Sequence, residues 1–247
     1  PIFLRGDDLQ IGRGETISDT AKIISGFCSA LIVRTFAQSD VDELGKYATI
    51  PVINALTDDD HPTQLLADWL TIRENFGKDL KKRKFVYIGD GNNVANAWLI
   101  MGATMGAHIV VATPAGKWAP KASVVDQANK IAKKSGARIE ITTDPKAAAK
   151  DASVIYTDVW MSMGDSEADR SEKISALTPF AVTNELMSLT TKDSIFMHCL
   201  PAHRGEEVAA DVIDGPKSVV WRQAFHRRTT IQALLYHLTR GDLKGNK

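Results

Sequence analysis

The sequence predicts an α/β protein with two parallel-sheet lobes, the C-terminal one doubly wound and the N-terminal one incomplete. Short apolar runs rich in β-branched residues alternate with longer amphipathic stretches, the pattern of βαβ units feeding a parallel sheet. Glycines follow several of the amphipathic stretches, where helices need a left-handed stop. A composition of 44% hydrophobic and 24% charged residues over 247 positions is that of a globular chain with ample core.

The first helix is predicted over residues 18–27, then a strand over 30–33, a helix over 39–47 with Asp40 in its first turn, and a strand over 51–53. The next helix, 62–76, has Pro62 at its first position, where a missing N–H is harmless, and Gly77 just past its end. A strand over 85–88 leads to a helix over 93–105 closed by Gly106. A strand over 108–111 leads to a helix over 122–134, with Asp126 near its start and Gly136 behind it. Strands follow over 138–141, 153–156, 194–197 and 218–220, and a last helix covers 225–239. The lobes divide near 77–84. There Gly77 ends a helix, the basic run Lys81-Lys82-Arg83-Lys84 follows, and a fresh strand begins. That run reads either as a solvated turn or as an anion-binding patch.

Thirty basic residues balance thirty acidic ones, which argues against a protein that lives by neutralising nucleic-acid phosphates. No apolar run reaches the roughly 18 residues that a membrane helix needs. The two cysteines, Cys28 and Cys199, form neither a disulfide framework nor a CxxC pair, so a reducing, cytoplasmic setting and no metal are expected.

Ligands of open parallel sheets bind beyond the carboxyl ends of the strands, so the residues after each strand are the candidates. Gly89-Asp90-Gly91-Asn92-Asn93 follows one, Asp158 another, His198-Cys199-Leu200-Pro201 a third, and a polar turn leading to His61 and Gln64 a fourth. The glycine-rich turn admits a nicotinamide-dependent oxidoreductase. Its third glycine position is Val94, however, and the next strand ends Val111-Ala112-Thr113-Pro114, without the acid that holds a ribose hydroxyl. Cys199 is either a buried, inert thiol or a cleft residue. His198 beside it points to the opposite face and suits poorly as its base. His61 and Gln64 lie on one side of a helix start, either as caps or as donors to a carbonyl oxygen. Arg34 at a strand end and Arg227 on the last helix are either surface charges or anion grips.

Five segments carry a resemblance. These are DDLQIGRGETISDTAKIIS (7–25), HPTQLLADWLTI (61–72), YIGDGNNVANAW (87–98), TDVWMSMG (157–164) and MHCLPAHRGEEV (197–208). Together, and in this order over nearly the whole chain, they resemble the ornithine carbamoyltransferases. HPxQ is shared with the aspartate branch of that family; the WMSMG loop and HCLP are specific to the ornithine branch. The resemblance implies carbamoyl transfer from carbamoyl phosphate to the δ-amine of L-ornithine, giving citrulline and phosphate. It implies no cofactor, and a homotrimer.

By motif, Arg34, His61 and Gln64 would hold carbamoyl phosphate, with His61 and Arg227 aimed at the carbonyl oxygen. Cys199 and the Leu200 carbonyl would line the carbamoyl site. Asn93, Asp158, Ser162 and Met163 would bind ornithine, with Asp158 on the α-ammonium. The resemblance makes 1–76 the remainder of a carbamoyl-phosphate domain, 77–220 a Rossmann-like ornithine domain, and 221–247 a helix returning to the first. Two departures stand out. The family's Ser-Thr-Arg-Thr-Arg phosphate grip would precede Pro1 and is not in this chain, so a chain lacking its N-terminal segment, inactive by itself, is one expectation. A non-catalytic or regulatory relative is another. The second departure is His226, where the family usually carries Asn before the arginine matched by Arg227.

Overall fold

The computed structural model describes residues 1–6, 14–161 and 167–240. Two compact units divide the chain: Pro1–Asp58 with Ile231–Lys247, and Asp59–Thr230. Among the described residues no helix is long and apolar enough to cross a membrane.

In the first unit α1 (Ile17–Ser25), β1 (Leu31–Arg34), α2 (Gln38–Tyr47) and β2 (Val52–Leu56) form one βαβ unit with a preceding helix. Thr16 caps α1 by accepting the Asp19 N–H, and Asp40 stands in the first turn of α2, as its sequence position suggests. β1 and β2 pair in parallel, Leu31 opposite Val52.

The second unit is built on a five-stranded parallel sheet. Its elements are α3 (Pro62–Phe76), β3 (Lys84–Ile88), α4 (Asn93–Thr104), β4 (His108–Ala112), α5 (Ala122–Ser135), β5 (Arg138–Thr142), α6 (Pro145–Ala149), β6 (Val154–Thr157), α7 (Arg170–Leu177), α8 (Asn184–Ser188), β7 (Ile195–His198), α9 (Ala210–Ile213) and α10 (Val220–Thr239). The unit boundary falls inside α10. Strand order is β5-β4-β3-β6-β7. The chain winds outward from β3 to β5, then returns beside β3 as β6 and winds the other way. That reversal makes β3/β6 the switch point of a doubly wound sheet.

Strand alternation assigns the two cores. Phe85, Tyr87 and Tyr156 face one side and pack with Leu65, Trp69 and Trp98 from α3 and α4. Val86, Ile88 and Ile155 face the other and pack with Phe180, Leu186 and Val212. Both layers are buried, as strands sandwiched between helices require. Gly77, Gly106 and Gly136 follow their helices with φ of 76°, 68° and 80°.

Two expectations need correction. The strand over 218–220 does not form: Ser218 makes a single bridge to Phe196, and α10 begins at Val220, ahead of the expected 225. The Val219-Val220 pair is apolar because Val220 is buried against the sheet, not because it extends it. Asp126 lies near the start of α5, which begins at Ala122 as expected. The short helices α6 to α9 were not foreseen. Four to eight residues carry too few turns for a periodicity to register.

Candidate active site

The carboxyl ends of β3, β6 and β7 meet around Asp158. Asn92 caps α4 by accepting the N–H groups of Val94 and Ala95, and its amide donates to Asp158 Oδ2 at 2.8 Å. From the β7 end, the Cys199 thiol donates to Asp158 Oδ1 at 2.7 Å. The Tyr87 hydroxyl reaches Asn92 Oδ1 from below. Burial, and then the Asp158 charge, push the Cys199 thiol well above its ordinary range. Tyr87 is raised in the same way, by burial first and Asp158 second. The site thus pairs one carboxylate with neutral donors, and its cysteine is a thiol rather than a nucleophilic thiolate.

His198 turns the other way. Its Nδ1 accepts the Leu200 N–H at 2.8 Å, so its proton belongs on Nε2, 3.3 Å from Glu207 Oε1. Both side chains are fully buried. Leu200 holds φ at 59°, a left-handed conformation that a leucine takes only when its surroundings impose it, and its peptide with Pro201 is cis.

A second buried network lies between α3 and α10. His61, at the N-cap of α3, is buried, and its backbone N–H donates to Asp60 Oδ1 at 2.8 Å. Burial raises the Asp60 carboxyl to about 6 despite that bond, and Asp59 adds to the rise. One turn on, Gln64 accepts Arg227 Nη1 at 2.5 Å and donates to Asp68 Oδ1 at 2.8 Å. Gln223 donates to the same oxygen at 2.7 Å and accepts the His198 backbone N–H at 3.0 Å. Burial lifts Asp68 to about 7; its bonds from Gln64, Gln223 and Tyr156 and the Arg227 charge oppose the rise.

The remaining predicted residues fall as follows. Asn93 is the first residue of α4, beside the Asn92 that bonds Asp158. Arg34 ends β1 in the first unit. Ser162 and Met163 lie outside the described residues. His226 points away from Arg227's partner: its Nδ1 is 2.8 Å from Thr71 Oγ1, and its Nε2 is 3.3 Å from Glu74. Asp68 and Gln223 escaped the sequence reading, and Asn92 entered it only within the glycine-rich turn. The signals were present: Asp68 is four residues from Gln64, and Gln223 four from Arg227, each pair on one helix face.

Two rival uses lose ground. A Cβ on Gly91 would lie 2.3 Å from Pro120 N and 2.4 Å from Ala119 C, and the Gly91 N–H donates to Trp118 O. The glycine admits the chain's own backbone, so the turn's glycines do not by themselves mark a nucleotide site. Ligand atoms of Asp158, His198 and Cys199 lie within 4.8 Å of one another, close enough for a cation. A metal-bound cysteine must be a thiolate, however, and burial beside Asp158 opposes that.

The chain matches two family models. Residues 1–74 match "Aspartate/ornithine carbamoyltransferase, carbamoyl-P binding domain", and residues 81–238 match the corresponding "Asp/Orn binding domain". It is 52% identical over 237 residues to an ornithine carbamoyltransferase of Anoxybacillus flavithermus, covering 96% of this chain and 74% of that one. It is 49% identical to an anabolic ornithine carbamoyltransferase of Pyrococcus furiosus, covering 98% and 76%. A solved structure of the ornithine carbamoyltransferase from Pyrococcus furiosus superposes with a TM-score of 0.91, at 49% identity and over 98% and 76% of the two chains.

Proposed function

This chain belongs to the aspartate/ornithine carbamoyltransferase family, and from that premise we propose that it carries out carbamoyl transfer from carbamoyl phosphate to the δ-amine of L-ornithine. The observation that carries the choice of substrate is the Asp158 carboxylate at the β3/β6 switch point, braced by Asn92 and Cys199. It supplies a fixed anion for an α-ammonium group, where an aspartate substrate would call for cations.

In the reaction, the neutral δ-amine adds to the carbonyl carbon, the bond to the phosphate oxygen breaks, and phosphate leaves with the amine's proton. Arg227 and His61 stabilise the oxygen that gains charge, and Gln64 orients Arg227. Cys199, kept as a thiol, positions rather than accepts the carbamoyl group. Much of the rate then comes from orientation. Asn93, Ser162 and Met163 join Asp158 on the amino acid, the Leu200 carbonyl faces the amine, and Arg34 adds to carbamoyl phosphate binding.

We place the enzyme in arginine biosynthesis, in line with the anabolic name of the Pyrococcus furiosus relative. Its free cysteines support a cytoplasmic setting. We expect a homotrimer, which a sedimentation-equilibrium mass of three chains would check. The decisive test is citrulline formation from carbamoyl phosphate and ornithine, run on this chain and on a chain extended upstream with the Ser-Thr-Arg-Thr-Arg segment. Citrulline with ornithine and no product with aspartate is expected. Asp158→Asn should lower kcat/KM for ornithine by about a hundredfold or more. No citrulline from either chain, or an unimpaired Asp158→Asn, would overturn the assignment.

A further inference from the structure

We propose that Asp68, which touches neither substrate in the reading above, is a positioning residue that sets the orientation of two primary amides and through them ties the Gln64–Arg227 pair to the backbone that carries Cys199. The inference rests on the carbamoyl-transfer reading for its kinetic consequence, but its geometry stands apart from it.

Asp68 is wholly buried on α3. Its Oδ1 receives Gln64 Nε2 at 2.8 Å and Gln223 Nε2 at 2.7 Å. A carboxylate oxygen only accepts, so both amides must turn their NH2 ends toward it. Their carbonyl ends are thereby committed. Gln64 Oε1 meets Arg227 Nη1 at 2.5 Å, and Gln223 Oε1 meets the His198 N–H at 3.0 Å, one residue before Cys199. Either amide flipped would set NH2 against a cationic donor or a backbone N–H. It would also set a carbonyl oxygen against the carboxyl. Asp68 thus makes one answer of two independent choices.

The Tyr156 hydroxyl lies 3.4 Å from Gln223 Nε2 and closes the cluster from β6. Arg227 and Gln223 sit one turn apart on α10, so both amides brace a single helix against α3 and the β7 end. Asparagine keeps a carbonyl oxygen that accepts both amides as Asp68 Oδ1 does. Leucine copies the size and accepts nothing.

The test compares Asp68→Leu with Asp68→Asn in the citrulline-forming protein. For Asp68→Leu, kcat should fall about 10- to 100-fold, the scale of a small misplacement of catalytic groups, with KM for ornithine changed less than about threefold. Asp68→Asn should recover most of that loss. A purely structural role would lower the melting temperature of Asp68→Leu and leave kcat alone, and that result overturns the proposal, as would equal impairment of both variants.

A second readout needs no turnover. The side-chain amide protons of Gln64 and Gln223, followed by NMR, should exchange slowly in the parent chain and in Asp68→Asn, and at least about tenfold faster in Asp68→Leu. Unchanged exchange in Asp68→Leu refutes the brace whatever reaction the protein catalyses. Absent citrulline in the parent chain would instead refute the assigned reaction and leave the exchange result to decide on Asp68.

Discussion

Cys199 illustrates how far a residue's chemistry depends on what surrounds it. The same side chain beside a histidine and a helix N-terminus would be a nucleophile. Here it donates to Asp158, and burial keeps its proton in place. Alkylation of Cys199 by iodoacetamide at pH 7.5 should therefore be at least about tenfold slower than that of a free thiol of ordinary pKa. Cys199→Ser, which keeps a donor, should retain measurable turnover, as an acyl acceptor's replacement would not. Alkylation at the free-thiol rate together with complete inactivity of the serine variant would point to covalent catalysis.

The reactive residue types at strand ends were legible in the sequence, because Asp158 and Cys199 stand where strand periodicity stops. Asn92 was not. It and Asn93 are equivalent as letters, and only the start of α4 decides that Asn92 takes the cap and the bond to Asp158. Asp68 was hidden for a different reason. Gln64, Asp68 and Thr71 read from the sequence as an ordinary polar face of α3 until Gln223, 155 residues away, is brought beside Asp68.

At the scale of elements, parallel strands and long helices followed from periodicity, while α6 through α9 and the start of α10 did not. Short helices are fixed by caps and tertiary contact. The Asp144 side chain accepting the Ala147 N–H does more for α6 than its five residues' pattern. The turn between β3 and α4 makes a sharper point. Gly91 lets the 118–120 segment lie against it, with Gly91 donating to Trp118 O at 2.8 Å. Gly91→Ala should force backbone away from backbone and cost about 2 kcal/mol or more, measurable by urea unfolding. A variant as stable as the parent would mean that the 118–120 segment yields freely. The α3–α10 contact also accounts for His226. The residue faces Thr71 and Glu74 and serves the packing of two helices, so the change from the family's usual asparagine leaves Arg227 its bond to Gln64.

At the scale of the whole molecule, buried carboxyls shape the response to pH. Asp68 is raised to about 7 and Asp60 to about 6 against an ordinary 3.8. A carboxyl with a higher pKa folded than unfolded binds more protons in the folded state. Its contribution favours folding in acid and is lost as pH climbs toward the folded value. For Asp68, faced by Gln64, Gln223, Tyr156 and the Arg227 charge, the window runs from about pH 4 to about pH 7, and the loss is on the order of 4 kcal/mol. Asp68→Asn should accordingly be more stable than the parent at pH 8, with the difference shrinking toward pH 5. Urea midpoints at both values would check it, and a difference that grows toward acid would show the opposite sign.

The division of labour at the end of β7 has a consequence for which changes the chain tolerates. Imidazole and thiol serve different partners from neighbouring positions, one Glu207 and the other Asp158. Adding or deleting a single residue in that strand would exchange them, placing the sulfur beside Glu207 and the ring beside Asp158. Point substitutions here trade one side chain at a time. A frame slip of one residue overturns both walls at once, so spacing in this stretch is as constrained as identity.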